Sequence, residues 1–184
     1  MARQPDRQHD FIYLASQSPR RRQLLDQIGV RHELLLPGAD EDAEALEATR
    51  AGELPADYVQ RVTMAKLQAA RRRLKARRLP AAPILCSDTT VALGRRILGK
   101  PADAADAQAT LRLLSGRTHR VVTAVVLGVG RREAMLLNTS QVRFAAMDDA
   151  DIVRYVASGE AYGKAGSYAI QSAIAGWIEH IAGS

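Results

Sequence analysis

The sequence predicts an α/β fold with a mixed sheet, and three observations lead there. Short β-rich runs alternate with helical ones along most of the 184 residues. Residues suited to ending an element, such as Gly29, Gly116 and Gly159, fall where one type gives way to the other. Two longer β-rich runs, 118–129 and 134–144, are separated by Gly130-Arg131-Arg132, which marks a hairpin within an otherwise alternating chain.

Each element has a local reason. The apolar run 11–15 reads as a strand. Residues 19–28 read as a helix, with Ser18 suited to the N-cap, Pro19 to the first helical position, and Leu24, Leu25 and Ile28 recurring at helical spacing until Gly29. Residues 33–36 are short and extended, and an acidic loop follows as far as Pro55. A long helix is predicted over 56–79, with Tyr58, Val62, Ala65 and Ala69 on one stripe. Residues 84–93 are extended but interrupted by Ser87-Asp88-Thr89, and Gly94-Arg95-Arg96 turns the chain into Ile97-Leu98. A helix over 103–114 is closed by Ser115-Gly116, and another over 148–158 is capped by Asp148 and ended by Gly159. The remainder is rich in Gly, Ala and Ser and closes on Trp177-Ile178-Glu179-His180-Ile181.

With 47% hydrophobic residues the chain can bury a core as one domain or as two closely packed lobes. No linker marks a clean boundary, so 1–184 is read as a single domain with residues 1–10 as a flexible tail. No apolar stretch approaches the ~20 residues of a membrane span. The polar N-terminus lacks the apolar core of a signal peptide, so the expected location is the cytoplasm. The single cysteine, Cys86, excludes an internal disulfide and reads as an inert buried thiol.

The net charge of +6 points to an acidic partner. Its distribution is uneven: seven acids and one arginine fall between Asp40 and Asp57, whereas 61–78 carries eight basic residues and no acid. The cluster Arg71-Arg72-Arg73-Leu74-Lys75-Ala76-Arg77-Arg78 is a candidate for binding nucleic acid. Aromatics at 4% leave no stock of stacking platforms, and neither zinc-ligand spacing nor a DNA-reading motif is present. A solvated helix face is therefore the expected role of that run, and nucleic acid is not the expected partner.

Chemistry-bearing residues gather at a few places. Ser16-Gln17-Ser18-Pro19-Arg20-Arg21 joins a strand to a helix N-terminus, where free N–H groups, the helix dipole and two guanidiniums suit an anion; a basic but merely capped helix fits the same residues. Asp88, read at a strand end, can bind a cation, accept a proton from water or cap its turn. Lys66 flanks the apolar stripe of the long helix, and Lys100 sits on the stiff turn Leu98-Gly99-Lys100-Pro101. The run from Gly163 to Gln171 packs small residues around Lys164, which suits close approach to a ligand or a tight structural loop.

The order and spacing of these features resemble the Maf family of nucleoside triphosphate pyrophosphatases. The residues that carry the resemblance are Leu14-Ala15-Ser16-x-Ser18-Pro19-Arg20-Arg21, Lys66, Ser87-Asp88-Thr89, Gly99-Lys100-Pro101, Leu114-Ser115-Gly116-x-x-His119 and Lys164-Ala165-Gly166-x-Tyr168-x-Ile170-Gln171. The resemblance implies a two-lobed, inosine-triphosphatase-like α/β fold with a deep central cleft. It also implies metal-dependent hydrolysis of a nucleotide to the monophosphate and pyrophosphate. Asp88 then takes the catalytic carboxylate position, Ser16, Arg20, Arg21, Lys66 and Lys100 the phosphate-handling positions, and Glu41 the acidic-loop position. Arg20, Thr89 and Gln171 are similar to the specificity positions of the branch acting on dTTP and UTP. Gly163, Ala169 and Ser172 depart from the usual pattern, as does a C-terminus without a Val-x-Gly-Leu-Pro segment. The resemblance further implies a nucleoside triphosphate as substrate and a chain able to form a homodimer.

The chemistry of such a reaction agrees. A triphosphate brings about four negative charges, which cations and a divalent metal must offset before a nucleophile can approach. Glu41 and Asp88 are hard oxygen ligands of the kind Mg²⁺ or Mn²⁺ prefers. Gln171 can meet the N3–H and O4 of uracil or thymine together, while the Thr89 hydroxyl fixes the loop or a second carbonyl. Two alternatives remain open: the 7-methylguanosine triphosphate branch of the same family, and a non-catalytic, basic nucleic-acid-binding or cell-division protein.

Overall fold

A computed structural model describes residues 9–183; most of the expected 1–10 tail lies outside the described residues. The element order is β1 (Ile12–Leu14), α1 (Pro19–Gln27), β2 (His32–Leu34), a 3₁₀ turn at Ala45–Glu47, α2 (Pro55–Ala76), β3 (Ile84–Leu93), β4 (Arg96–Leu98), α3 (Ala104–Leu114), β5 (Thr118–Val129), β6 (Arg132–Phe144), α4 (Asp149–Ala157), two further 3₁₀ turns and β7 (Ile178–Ala182). The seven strands form one sheet in the order β2-β1-β3-β5-β6-β7, with β4 paired to β3 off that path. β1 runs parallel to both β2 and β3, whereas β3 with β4 and β6 with β7 are antiparallel. The sheet is mixed because β1-α1-β2 is a crossover unit, while tight turns must reverse the chain.

Two compact units divide the chain. One holds the described residues up to Ala48 with Arg61–Ser87 and Val125–Leu136; the other holds Thr49–Gln60, Asp88–Ala124 and the described residues from Leu137 onward. The first has a core of Tyr13, Leu35, Leu67, Ala70, Ala82, Ile84, Cys86 and Val126. Burial raises the Cys86 thiol to about 12, so it stays protonated at neutral pH and packs as a small apolar group. Gly128 lies against Leu67 so closely that a Cβ there would be 2.8 Å from its Cδ1, which lets α2 and β5 approach. The second unit is built on Val91, Leu98, Leu111, Leu114, Phe144, Ile152, Tyr155, Tyr168 and Ile174, among others. α3 and α4 each begin on an aspartate whose carboxylate accepts a first-turn N–H, Asp103 from Asp106 and Asp148 from Asp151.

Three local expectations are corrected. β3 is not interrupted at Ser87-Asp88-Thr89 but runs unbroken from Ile84 to Leu93, so Asp88 sits mid-strand rather than at a strand end. Apolar flanks on both sides carry the polar residues along, and Ser87, Asp88 and Thr90 are all buried. Ser18 occupies the N-cap of α1 without a side-chain cap; its own N–H is instead donated to Ser16 Oγ at 3.2 Å. The basic run 71–78 is not uniformly solvated, because Arg73 is buried and Arg71 is partly so.

Candidate active site

The strand-to-helix junction after β1 carries the first group. Ser16 Oγ accepts from Ser18 N–H and from Arg21 Nη1, both at 3.2 Å. The same Arg21 Nη1 donates to the carbonyl of Ser87 at 2.7 Å. Parallel pairing of Tyr13 with Ile84 and of Leu14 with Leu85 is what brings this junction level with Ser87. Arg21 is thereby fixed beside the residue that precedes Asp88 in the chain. Arg20 is exposed in the first turn of α1, where no acidic side chain offsets the positive end of the helix.

The acidic loop and α2 supply the second group. Lys66 Nζ donates to Glu47 Oε1 at 2.7 Å, both side chains being largely covered. Arg73 grips Glu41 with two bonds, Nε to Oε1 at 2.8 Å and Nη2 to Oε2 at 2.7 Å, while its Nη1 donates to Leu35 O at 2.7 Å. Gly38 N–H adds a third bond to Glu41 Oε1 at 3.1 Å. The Arg73 hydrogen bonds hold the Glu41 carboxyl down to about 2, against an opposing effect of burial and with help from Gly38. The sequence places Glu41 beside a metal, but the cation it meets is this guanidinium.

Within the other unit, Thr89 Oγ1 lies 3.0 Å from Thr123 Oγ1, a hydroxyl pair that ties β3 to β5. Lys100 is exposed on the turn after β4, and the carbonyl of its neighbour Gly99 accepts from Gly166 N–H at 3.0 Å. Gln171 is exposed in a loop bounded by 3₁₀ turns at Ala165–Ser167 and Ala173–Trp177. The structure thus joins Ser16 and Arg21 directly, sets Lys66 and Glu41 in separate ion pairs, and links the Lys100 turn to the loop that bears Gln171. Among the described residues no group of three or more His, Cys, Asp or Glu side chains is arranged to hold a metal.

Several contributors escaped the sequence reading. Arg73 follows Thr63, Lys66 and Ala70 at helical spacing, so the buried face of α2 extends to it and the signal was present. Glu47 belongs, with the anticipated Glu41, to the acidic excess of 40–57, which complements the basic excess of 61–78 that begins on the next helix. The sequence singles out both His119 and Tyr168, but not their contact: His119 is buried with its Nε2 2.7 Å from the Tyr168 hydroxyl.

Burial pushes the His119 ring down to about 4, with a smaller opposing pull from the Arg117 backbone. The unfolded chain therefore binds a proton that the folded one refuses between the ordinary value of 6.5 and about 4. The contribution to stability is intact above pH 6.5 and is lost as pH falls through that window. A shift of this size corresponds to about 3 kcal/mol at most, or a Tm lower by roughly 6–12 °C at pH 4 than at pH 7. Melting curves for His119→Leu are expected to be flatter across that window, and an unchanged slope would assign the acid sensitivity elsewhere.

The chain matches the family model described as "Maf-like protein" over residues 11–184. It is 63% identical over 175 residues to a dTTP/UTP pyrophosphatase of Albidiferax ferrireducens, covering 95% of this chain and 88% of that one. Proteins of the same name from Ralstonia nicotianae, at 63% over 177 residues, and from Polaromonas sp., at 61% over 175, are covered over 86% and 87% of their lengths. The first of these spans 96% of this chain and the second 95%. The fold is that of an α/β protein with a mixed seven-stranded sheet. The chain belongs to the Maf-like protein family. No helix among the described residues is long and apolar enough to cross a membrane.

Proposed function

We propose that this protein is a nucleoside triphosphate pyrophosphatase that hydrolyses dTTP and UTP to the monophosphate and pyrophosphate. The observation that carries the reading is the bonding of Arg21 to both Ser16 and the main chain of Ser87, the residue before Asp88. It joins the phosphate-handling junction to the strand that bears the acid. Relatives that share about three-fifths of this sequence carry the same activity in their names.

Ser16, Arg20, Arg21, Lys66 and Lys100 bind and orient the triphosphate, their charge offsetting that of the phosphates. Asp88 orients a water and takes its proton as the oxygen attacks the α-phosphorus. The bond from that phosphorus to the bridging oxygen breaks, and pyrophosphate leaves. Asp88 also fits a divalent cation, Mg²⁺ or Mn²⁺, since such ions are held by one or two carboxylates together with substrate phosphates. When bound, that cation supplies charge neutralisation on the phosphates. Glu41 is committed to Arg73 by both oxygens and is assigned to holding its loop. We read the protein as a cytoplasmic one that is able to form a homodimer. The nucleic-acid reading loses support because Arg71 is spent on Glu133 and Arg132 O, and Arg73 on Glu41.

Base choice falls to Gln171, whose carboxamide offers an acceptor and donors to the N3–H and O4 edge of uracil or thymine. Cytosine presents an unprotonated N3 beside an amino group and leaves such a site unpaired, which costs more than a missing methyl. Pyrophosphate release across a panel of nucleoside triphosphates, with Mg²⁺ and with Mn²⁺, is expected to be fastest for dTTP and UTP. Gln171→Ala is expected to lower the UTP-over-CTP ratio of kcat/KM by roughly tenfold, with a smaller loss of kcat. A preference for 7-methylguanosine triphosphate in the unaltered protein would overturn the assignment.

A further inference from the structure

Gln171 is exposed in a loop of little regular structure, yet selecting a base edge requires its carboxamide to be held in place. The residues just before and after it are unusually constrained. Gly166 is left-handed at φ 70°, and a Cβ there would lie 2.8 Å from Val91 Cβ, Cγ1 and Cγ2, so the chain presses onto β3. Ser167 follows at φ 62°, a left-handed conformation in a fully buried serine. Tyr168 is then driven inward, 7% exposed, where its ring meets His119 and Phe144 edge-on at centroid distances of 5.4 and 4.9 Å. His119 and Phe144 complete the triangle at 4.9 Å. On the far side of Gln171, Ser172 Oγ donates to Ala169 O at 2.7 Å and lies 3.0 Å from the Tyr155 hydroxyl.

Three aromatic rings would fill this space without the phenolic oxygen. What the hydroxyl adds is one bond, 2.7 Å long, to a buried imidazole that fixes the depth and tilt of the ring. With His119 uncharged above pH 4 and the Tyr168 phenol kept protonated by burial, that bond is between neutral partners throughout the physiological range.

We infer that Tyr168, anchored by His119, is a positioning residue for Gln171 and so a determinant of the preference for uracil and thymine. The inference rests on the reading of Gln171 as the base contact. Tyr168 acts through the loop and not by touching the substrate. It sets where the loop leaves the core, three residues before Gln171, while the Ser172 bonds set the other end.

The test compares kcat/KM for UTP and for CTP, with melting temperatures, in the unaltered protein and in Tyr168→Phe, Gln171→Ala, His119→Leu and the double variant Tyr168→Phe/Gln171→Ala. Tyr168→Phe keeps the ring and loses the bond, and is expected to lower the UTP-over-CTP ratio roughly fivefold. Most of the change should appear as a higher KM for UTP. His119→Leu removes the same bond from its other end and should lower the ratio likewise. Because Tyr168 acts through Gln171, the double variant should fall no further than Gln171→Ala alone. A lowered melting temperature with the ratio retained in Tyr168→Phe or His119→Leu, while Gln171→Ala loses it, would make the cluster merely structural and sink the inference alone. Losses that multiply in the double variant would also overturn it. If Gln171→Ala itself keeps the ratio, the base-contact reading fails and the inference with it, whereas the assignment of pyrophosphate release stands.

Discussion

Asp88→Asn is expected to lower kcat for UTP by at least ~10²-fold while leaving the fold intact. The substitution preserves shape and most hydrogen bonds but removes the basic lone pair that would take a proton from water. Asp88 is buried in the middle of β3 between Ser87 and Thr89, so the strand itself holds the carboxylate in place. Pyrophosphate release at saturating UTP and Mg²⁺ is the measurement, with a melting curve as control for folding. A loss near ~10²-fold, or about 2.7 kcal/mol of barrier, is the signature of a group that orients the water. A loss nearer ~10⁴-fold marks an obligate base. A kcat within a few-fold of the unaltered protein would remove Asp88 from the reaction and leave the Arg21-bonded junction as a binding site without chemistry.

Much of the fold was legible in the sequence because its signals are local. The N-cap aspartate of α4, the Ser115-Gly116 stop after α3, the glycine after α1 and the hairpin around Gly130 each act within a few residues, and these elements appear where expected to within a few positions. What was not legible depends on partners far along the chain. Ser87-Asp88-Thr89 looks like a break by composition, and only pairing on both sides of β3 shows it to be a continuous strand. The Arg71-to-Arg78 run looks like a solvated face by charge. In fact Arg71 reaches across to Glu133, sixty-two residues away, and Arg73 reaches back thirty-two to Glu41. For the site the division is the same. Residue types and spacing singled out Ser16 to Arg21 as a candidate anion site, but no spacing rule could show that Arg21 would be bonded to Ser87 or that Tyr168 would meet His119.

Removing either member of the Glu41–Arg73 pair is expected to be strongly destabilising, and unequally so. Arg73 is 7% exposed whereas the Glu41 side chain is 31% exposed, so the two orphaned charges are left in different surroundings. Glu41→Ala strands a buried guanidinium, which carries its charge at every accessible pH, and should cost about 3–5 kcal/mol. Arg73→Met leaves a carboxylate that can turn toward water, but it also abandons the carbonyl of Leu35, itself fully buried, and should cost about 2–3 kcal/mol. At roughly 2–4 °C of Tm for each kcal/mol in a chain of this size, the two variants separate in a melting experiment. Adding Arg73→Met to Glu41→Ala should recover part of the loss, since an apolar residue in place of the stranded cation removes the larger penalty. Acid supplies an independent check. Because the Glu41 carboxyl is held down to about 2, its contribution is present above the ordinary value of 4.5 and disappears as pH falls from there toward 2. Arg73→Met should lose stability less steeply across that interval than the unaltered protein. Equal destabilisation by the two single variants, or a double variant weaker than Glu41→Ala, would mean that the pair does not anchor the acidic loop, and Glu41 would return as a candidate for the divalent cation.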